Sequence, residues 1–332
     1  MFDLEGKRIW VAGARGMAGS AIARALAARG IPALPDPARE VLDLRRQADV
    51  EGWINTIKPD LIFVAAARVG GIADNAAHPA DFIADNLQIE TNIMTAAAKA
   101  RVRKLVFLGS SCIYPANAPQ PLREDSLMTG PLEGTNRAYA MAKLAGIEMA
   151  RAYRAQYGCD FVSVLPCNLY GPNDTYDATR SHVIPALIMK LRNAMATGSP
   201  KLMVWGTGNP LREFMHVDDL ADAVLHVAQY YSDAAPINIG TGQTTNIRAL
   251  ARMLCNIAGY EGAIVYDTSK PDGVACKVLD ITRLQDLSWQ HRISLEQGLR
   301  SVWQQYLQQH PLSLLQHPQP FQQQPSQRQT QR

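Results

Sequence analysis

The chain has 332 residues, 47% hydrophobic and 19% charged, enough to bury the core of one large domain or of a large and a small one. Its net charge of +3 is spread without a basic block, which argues against a nucleic-acid or anionic-membrane partner. The five cysteines are odd in number, widely spaced and without a CxxC pair, and they read as reduced thiols. The start carries acids at Asp3 and Glu5, unlike the basic start of a signal peptide. The best apolar run, LIFVAAA, stops at Arg68, far short of a bilayer span. A soluble, cytoplasmic protein is expected.

In chain order, apolar strand-like runs alternate with helical patterns. RIWVAGA is followed by MAGSAIARALAARG, LIFVAAA by a helix over 79–99, KLVFLGS by a helix over 135–157, and FVSVLP by a helix over 183–196. Such alternation predicts an α/β fold with a Rossmann-type, doubly wound parallel sheet. After Leu165 the regularity fails, and short strands (LMVW, IVY) are separated by Gly- and Pro-rich turns. We therefore expect a dinucleotide-binding domain over 1–165 and a smaller, irregular substrate lobe over 166–309, with some later segments returning to the sheet. Residues 310–332, rich in Gln and Pro, form a predicted disordered tail.

Gly13, Ala14, Arg15, Gly16, Met17, Ala18 and Gly19 lie between the first strand and the first helix. Glycines permit a tight turn and close backbone approach, and the helix N-terminus offers free N–H groups to a pyrophosphate. GxxGxxG alone is weak, since glycines also serve strand–helix turns without a ligand. Its place in the first βα unit turns it toward dinucleotide binding. Arg15 and Arg39 favour NADP(H), whereas Asp36 in LPDPARE would favour NAD. Two guanidiniums against one carboxylate flanked by prolines lead us to expect NADP(H).

Tyr139 and Lys143 stand four residues apart, on one face of a predicted helix. An ammonium beside a phenol lowers its pKa and makes it a usable acid/base. YxxxK recurs by chance on polar helix faces. Ser110, expected at the end of the fourth strand where such sheets bind ligands, makes the combination specific. His216, Asp218 and Asp219 could suggest a metal site; acids there suit a helix N-terminus, and no metal is expected.

The glycine turn, Ser110 and YxxxK together resemble an extended short-chain dehydrogenase/reductase. AGARGMAGSAI, AAARVGGI, FLGSSCIYP, NLYGPND, SHVIPALI, REFMHVDDLA and SKPDG closely resemble the GDP-L-fucose synthase family, in order and from about residue 7 to about residue 307. The resemblance implies a homodimeric NADPH enzyme that epimerises carbons 3 and 5 of GDP-4-keto-6-deoxy-D-mannose and reduces its carbon-4 ketone. It implies that Ser110, Tyr139 and Lys143 form the reductase triad, and that Cys112 and His182 are the epimerisation acid/base pair. A thiol and an imidazole both titrate near neutrality and suit proton removal beside a ketone. On the residues alone, Cys112 could equally be buried filler and His182 the residue that starts a helix.

By the same resemblance Arg39, Asp43 and Leu44 fall at the adenine end of the cofactor. Leu108, Gly109, Ser110 and Ser111, with Pro166, Asn168 and Leu169, fall beside the nicotinamide, and Lys143 and His182 also count as cofactor contacts. Lys190, Trp205, Arg212, Asp272 and, less firmly, Lys277 fit the substrate-binding pattern. Two departures stand out. Lys190 replaces an arginine, a fork exchanged for a point charge, and prolines interrupt the second strand. The alternatives are an enzyme on a related GDP-4-keto sugar (6-deoxy-heptose or colitose) and a non-catalytic NADP(H)-binding sensor. The sensor would have no use for the triad.

Overall fold

A strand can be apolar along its whole length only where water is kept from both of its faces. In the computed structural model, which describes residues 1–178, 180–270 and 272–311, the central strands meet that condition. β1 (Ile9–Ala12), β2 (Leu61–Val64), β3 (Lys104–Leu108) and β4 (Phe161–Pro166) form one parallel sheet in that order, and Ile237–Ile239 adds beyond β4. Every residue of these strands is buried. Parallel neighbours require crossovers. α1 (Met17–Ala28) and α2 (Gln47–Ile57) join β1 to β2, and α3 (Ile72–Ala77) and α4 (Pro79–Lys99) join β2 to β3. α5 (Arg137–Tyr157) joins β3 to β4, while α6 (Val183–Ala196) and α7 (Val217–Tyr230) precede the last strand. The α/β parallel sheet expected from the alternating pattern is present.

The run IPALPDPA yields a single parallel bridge, Leu34 to Trp10, in place of a second strand. Pro32, Pro35 and Pro37 have no N–H to give a ladder, so pairing cannot propagate. Ser110 therefore follows the third continuous strand rather than a fourth. α2, which the sequence reading passed over, buries Val50, Ile54 and Ile57 at helical spacing. The predicted tail lies outside the described residues except for His310 and Pro311.

A second hydrophobic cluster gathers Leu187, Ile188 and Leu191 of α6 with Leu250, Leu254, Val302 and Trp303. Its strand Lys201–Trp205 pairs in parallel with Ala263–Asp267 and alternates: Leu202 and Val204 are buried, while Trp205 is 56% exposed. Period-two alternation marks a half-buried strand, and here it turns an indole outward. Between the clusters, the buried Glu213 carboxylate accepts N–H bonds from Thr241 (2.6 Å), Gly242 (2.7 Å) and Leu279 (2.8 Å). The short strand Cys276–Lys277 pairs with Leu211–Arg212, and Val278 O accepts from Leu122 N. These contacts fix the backbone that carries Lys277.

Candidate active site

The C-terminal ends of β1, β3 and β4 open onto one edge of the sheet, the usual ligand-binding edge of such folds. At β1, Gly13 has φ +89°, and a Cβ there would stand 2.7 Å from the Ala66 backbone. A Cβ on Gly19 would stand 2.1 Å from Gly13 O, so these two glycines are demanded by the turn itself. Gly16 starts α1 with no side-chain cap and no acid in the first turn. The leading N–H groups, of Met17, Ala18 and Gly19, thus meet no acid in their own turn, and the turn fits a dinucleotide's pyrophosphate.

Asp36 is turned inward. Its carboxylate accepts from Trp10 Nε1 (3.2 Å), Gly13 N (3.2 Å) and Ala14 N (2.9 Å). Burial raises its pKa above the ordinary carboxyl value, against those hydrogen bonds and the Arg15 charge. The acid that could have read a ribose hydroxyl is occupied in bracing the glycine turn. Arg15, exposed, donates to Pro37 O at 2.7 Å, and Arg39 is exposed beside it. Asp43 is gripped by Arg45 at 2.7 Å, whose hydrogen bond holds its carboxyl well below the usual range. Arg45 also reaches Asp85 at 3.1 Å. Leu44 packs half-buried against the core while its carbonyl accepts from Asn92.

At β3, Leu108, Gly109 and Ser111 are buried and Ser110 is half-exposed. A Cβ on Gly109 would stand 2.7 Å from Leu165, so glycine lets the ends of β3 and β4 close. Ser110 accepts from Cys112 N at 3.2 Å, starting a one-turn 3-10 helix over Ser111–Ile113. At the end of β4, Pro166 is buried, Asn168 donates to Glu213 O at 2.8 Å, and Leu169 is half-buried.

Tyr139 on α5 faces this serine. Burial raises its pKa, with Cys112 and Glu90 adding negative potential and a hydrogen bond with Ser110 opposing them. The expectation that this pKa lies below its ordinary value is therefore corrected, because burial dominates. The Lys143 ammonium instead pairs with Glu90 Oε1 at 2.9 Å and lies 4.6 Å from the Phe107 ring centre. Tyr139 is held as a phenol, the form that can give up a proton.

Lys277 is brought much closer to the chemistry than a substrate contact alone requires. Its Nζ lies 3.4 Å from Cys112 Sγ. Burial pushes the thiol's pKa up, but the Lys277 charge and the Ser110 and Lys277 hydrogen bonds outweigh it, leaving the thiol below its ordinary value. His182 immediately precedes α6. Its solvent-accessible imidazole is packed about by protein, which lowers its pKa, and Lys277 lowers it further. One cation thus biases both members of the pair.

Lys190 Nζ lies 4.5 Å from the Trp205 ring centre, and burial lowers its pKa. Arg212 donates to Leu211 O at 2.8 Å and to Asp272 O at 3.3 Å. Asp272 spends its carboxylate on Thr207, accepting from N and Oγ1 at 2.7 Å each, and so fixes the turn after Trp205. The result is an indole face with cations at its side, suited to a base or sugar carrying a diphosphate. His216 is itself the cap of α7, accepting from Asp218 N. Asp218 pairs with Arg24 at 2.7 Å, and Asp219 accepts from Ile293 N at 2.9 Å.

The NAD dependent epimerase/dehydratase family matches residues 9–240. A probable GDP-L-fucose synthase 1 of Oryza sativa subsp. japonica is 48% identical over 305 residues, covering 92% of this chain and 93% of the relative. The chain belongs to the GDP-L-fucose synthase branch of the NAD dependent epimerase/dehydratase family. Among solved structures, a GDP-6-OMe-4-keto-L-xylo-heptose reductase from C. jejuni superposes with a TM-score of 0.86 at 33% identity, covering 92% of this chain and 98% of that one. A GDP-L-fucose synthetase from Naegleria fowleri bound to NADP gives 0.85 at 27% identity, covering 93% and 96%. The synthase branch fits the two-part site: a Ser–Tyr pair suited to a carbonyl, and a cysteine whose pKa is lowered by a lysine beside it.

The sequence reading missed Glu90 and took Lys277 for a substrate contact. Glu90 had a legible signal, since Phe82, Asn86, Ile89, Glu90, Ile93, Met94 and Ala97 form the buried face of α4. An acid inside such a stripe is expected to have a partner.

Proposed function

We propose that this protein converts GDP-4-keto-6-deoxy-D-mannose to GDP-L-fucose by 3,5-epimerisation followed by NADPH-dependent reduction at carbon 4. The observation that carries this reading is the Lys277–Cys112 contact beside Ser110 and Tyr139. A simple ketone reductase needs the serine and tyrosine but has no need of an activated thiol.

Protons beside a ketone are acidic because the charge moves onto oxygen. Hydrogen bonds from Ser110 and Tyr139 stabilise that oxyanion. The surroundings lower the pKa of both Cys112 and His182, which favours the thiolate as the base and a neutral imidazole beside it. A diphosphate held by Lys190 and Arg212 offsets the Lys277 charge and raises the proton affinity of His182. That histidine can then return a proton to the opposite face. The bound cofactor supplies hydride to carbon 4. As the oxygen at carbon 4 gains charge it takes the Tyr139 proton, and the phenolate left behind is stabilised by the Lys143 ammonium. Gly13 to Gly19 would hold the pyrophosphate, and Arg15 and Arg39 the extra phosphate that distinguishes NADPH.

We take the enzyme to be a homodimer built on α4 and α5, which pack on each other and leave Met141 and Tyr157 exposed. Incubation with GDP-4-keto-6-deoxy-D-mannose and NADPH tests the reaction, with GDP-L-fucose as the expected product by NMR. A GDP-6-deoxy sugar of unchanged configuration at carbons 3 and 5 would sink it.

A further inference from the structure

Glu90 is 1% exposed and Lys143 2%. Apart from that ion pair, neither Glu90 oxygen has a hydrogen-bond partner among the described residues. Room for the carboxylate is made by Gly146, one turn along α5 from Lys143. A Cβ at that position would lie 2.7 Å from Glu90 Oε2 and 2.5 Å from Phe107 Cζ. The chain thus combines three unfavourable features at one point. A glycine sits inside a helix, where it is less favourable than alanine, a carboxylate is buried with a single partner, and an ammonium is buried against it. Buried ion pairs are poor stabilisers, because desolvation offsets their attraction. The pair's place behind Tyr139 gives it another use.

We propose that Glu90 is a positioning residue for the reductive step, its carboxylate holding the Lys143 ammonium charged and in place behind Tyr139. The idea rests on the reductase reading of the site. A buried lysine without a counter-charge sheds its proton as pH rises, because burial disfavours the ammonium. A neutral amine cannot stabilise the phenolate formed when Tyr139 donates. The charged and titratable groups facing this pair are few. Tyr139 lies on α5 with Lys143, Glu90 on α4, and Cys112 follows β3; Cys112 and Glu90 both oppose ionisation of Tyr139. Burial also raises the pKa of Glu90, and Lys143 counteracts it. Glu90 is proposed to act through Lys143, although its charge also opposes ionisation of Tyr139.

The test compares Glu90→Gln with the unmodified enzyme across pH, measuring NADPH oxidation and, separately, deuterium exchange at carbons 3 and 5. Removing an opposite charge at 2.9 Å shifts the alkaline limb of reduction downward by about one to three pH units. Above the alkaline limb of the unmodified enzyme reduction then falls tenfold or more, while well below the shifted limb it approaches the unmodified rate. Exchange, which depends on Cys112, Lys277 and His182, stays within about threefold throughout. Glu90→Asp keeps the charge, so it is expected to fold and to recover part of the shift. A second readout needs no substrate. In protein labelled with carbon-13 at lysine Cε, the resonance missing from Lys143→Met reports the charge of Lys143, and it changes at lower pH in Glu90→Gln. Coincident alkaline limbs, or a Lys143 resonance that titrates identically in both proteins, overturn the proposal. If the unmodified enzyme does not oxidise NADPH with this sugar, the substrate reading fails, and the Lys143 resonance still decides the role of Glu90.

Discussion

Replacing Lys277 by Met removes the cation 3.4 Å from the Cys112 sulfur while keeping most of the side-chain bulk. Two unit charges about 4 Å apart interact by about 4 kcal/mol at an effective dielectric of about 20. Both side chains are only half-buried by area, so solvent screening reduces this, and about half, ~2 kcal/mol, is a fair figure. At about 1.4 kcal/mol per pKa unit, the thiol rises by roughly 1.5 units. The sign follows from the balance at the site. With Lys277 present, the opposing push of burial is outweighed and the thiol lies below its ordinary value. Without Lys277 burial dominates, and the thiol moves above it. The active form is the thiolate, so exchange at carbons 3 and 5 falls by up to about thirtyfold near neutrality and recovers as pH is raised through the shifted value. Proton NMR in deuterated water follows the exchange. Ultraviolet absorbance of the thiolate, with Cys112→Ser as the blank, reads the ionisation without substrate and separates it from any loss of binding. An absorbance titration unchanged from the unmodified enzyme would refute the electrostatic role of Lys277.

Tyr139→Phe is expected to lower NADPH oxidation by about a hundred- to ten-thousandfold while retaining measurable exchange, since Cys112, Lys277 and His182 remain; equal loss of both activities in a progress curve contradicts this separation. Replacing Arg15 and Arg39 together by Ala should erase the preference for NADPH over NADH, because Asp36 faces inward and cannot impose a selectivity of its own. Equal specificity constants for the two cofactors in the unmodified enzyme would show that these arginines do not read the phosphate. Light scattering at micromolar concentration should give twice the mass of one chain, and a monomer would remove the proposed α4–α5 contact.

Local chemistry made most of the frame legible. Runs such as KLVFL and FVSVLP are apolar at every position, and both become fully buried parallel strands. The glycine turn and the helices over 79–99 and 183–196 followed from period and spacing, while the pairing of Ser110 with Tyr139 followed from the family resemblance. What escaped was set by tertiary contact. Lys277 reaches Cys112 across 165 residues of chain, and no local pattern connects them. Asp36 could be read as a ribose ligand because it follows the segment expected to be the second strand, where such an acid usually stands. Its inward hydrogen bonds depend on Trp10 and the glycine turn, more than twenty residues away. Lys143 was assigned to Tyr139 by helical spacing, which is a statement about one helix. Its partner Glu90 stands on another, where only packing of α4 against α5 brings the two charges to 2.9 Å.

The most direct measurement is one turnover experiment in deuterated water with GDP-4-keto-6-deoxy-D-mannose and NADPH, reading both the cofactor consumed and the position of deuterium in the product. The expected result is GDP-L-fucose carrying deuterium at carbons 3 and 5, with one NADPH oxidised per sugar. A reduced sugar with no deuterium at either carbon would show that Cys112 and Lys277 perform no epimerisation, and that the site is a carbon-4 reductase alone.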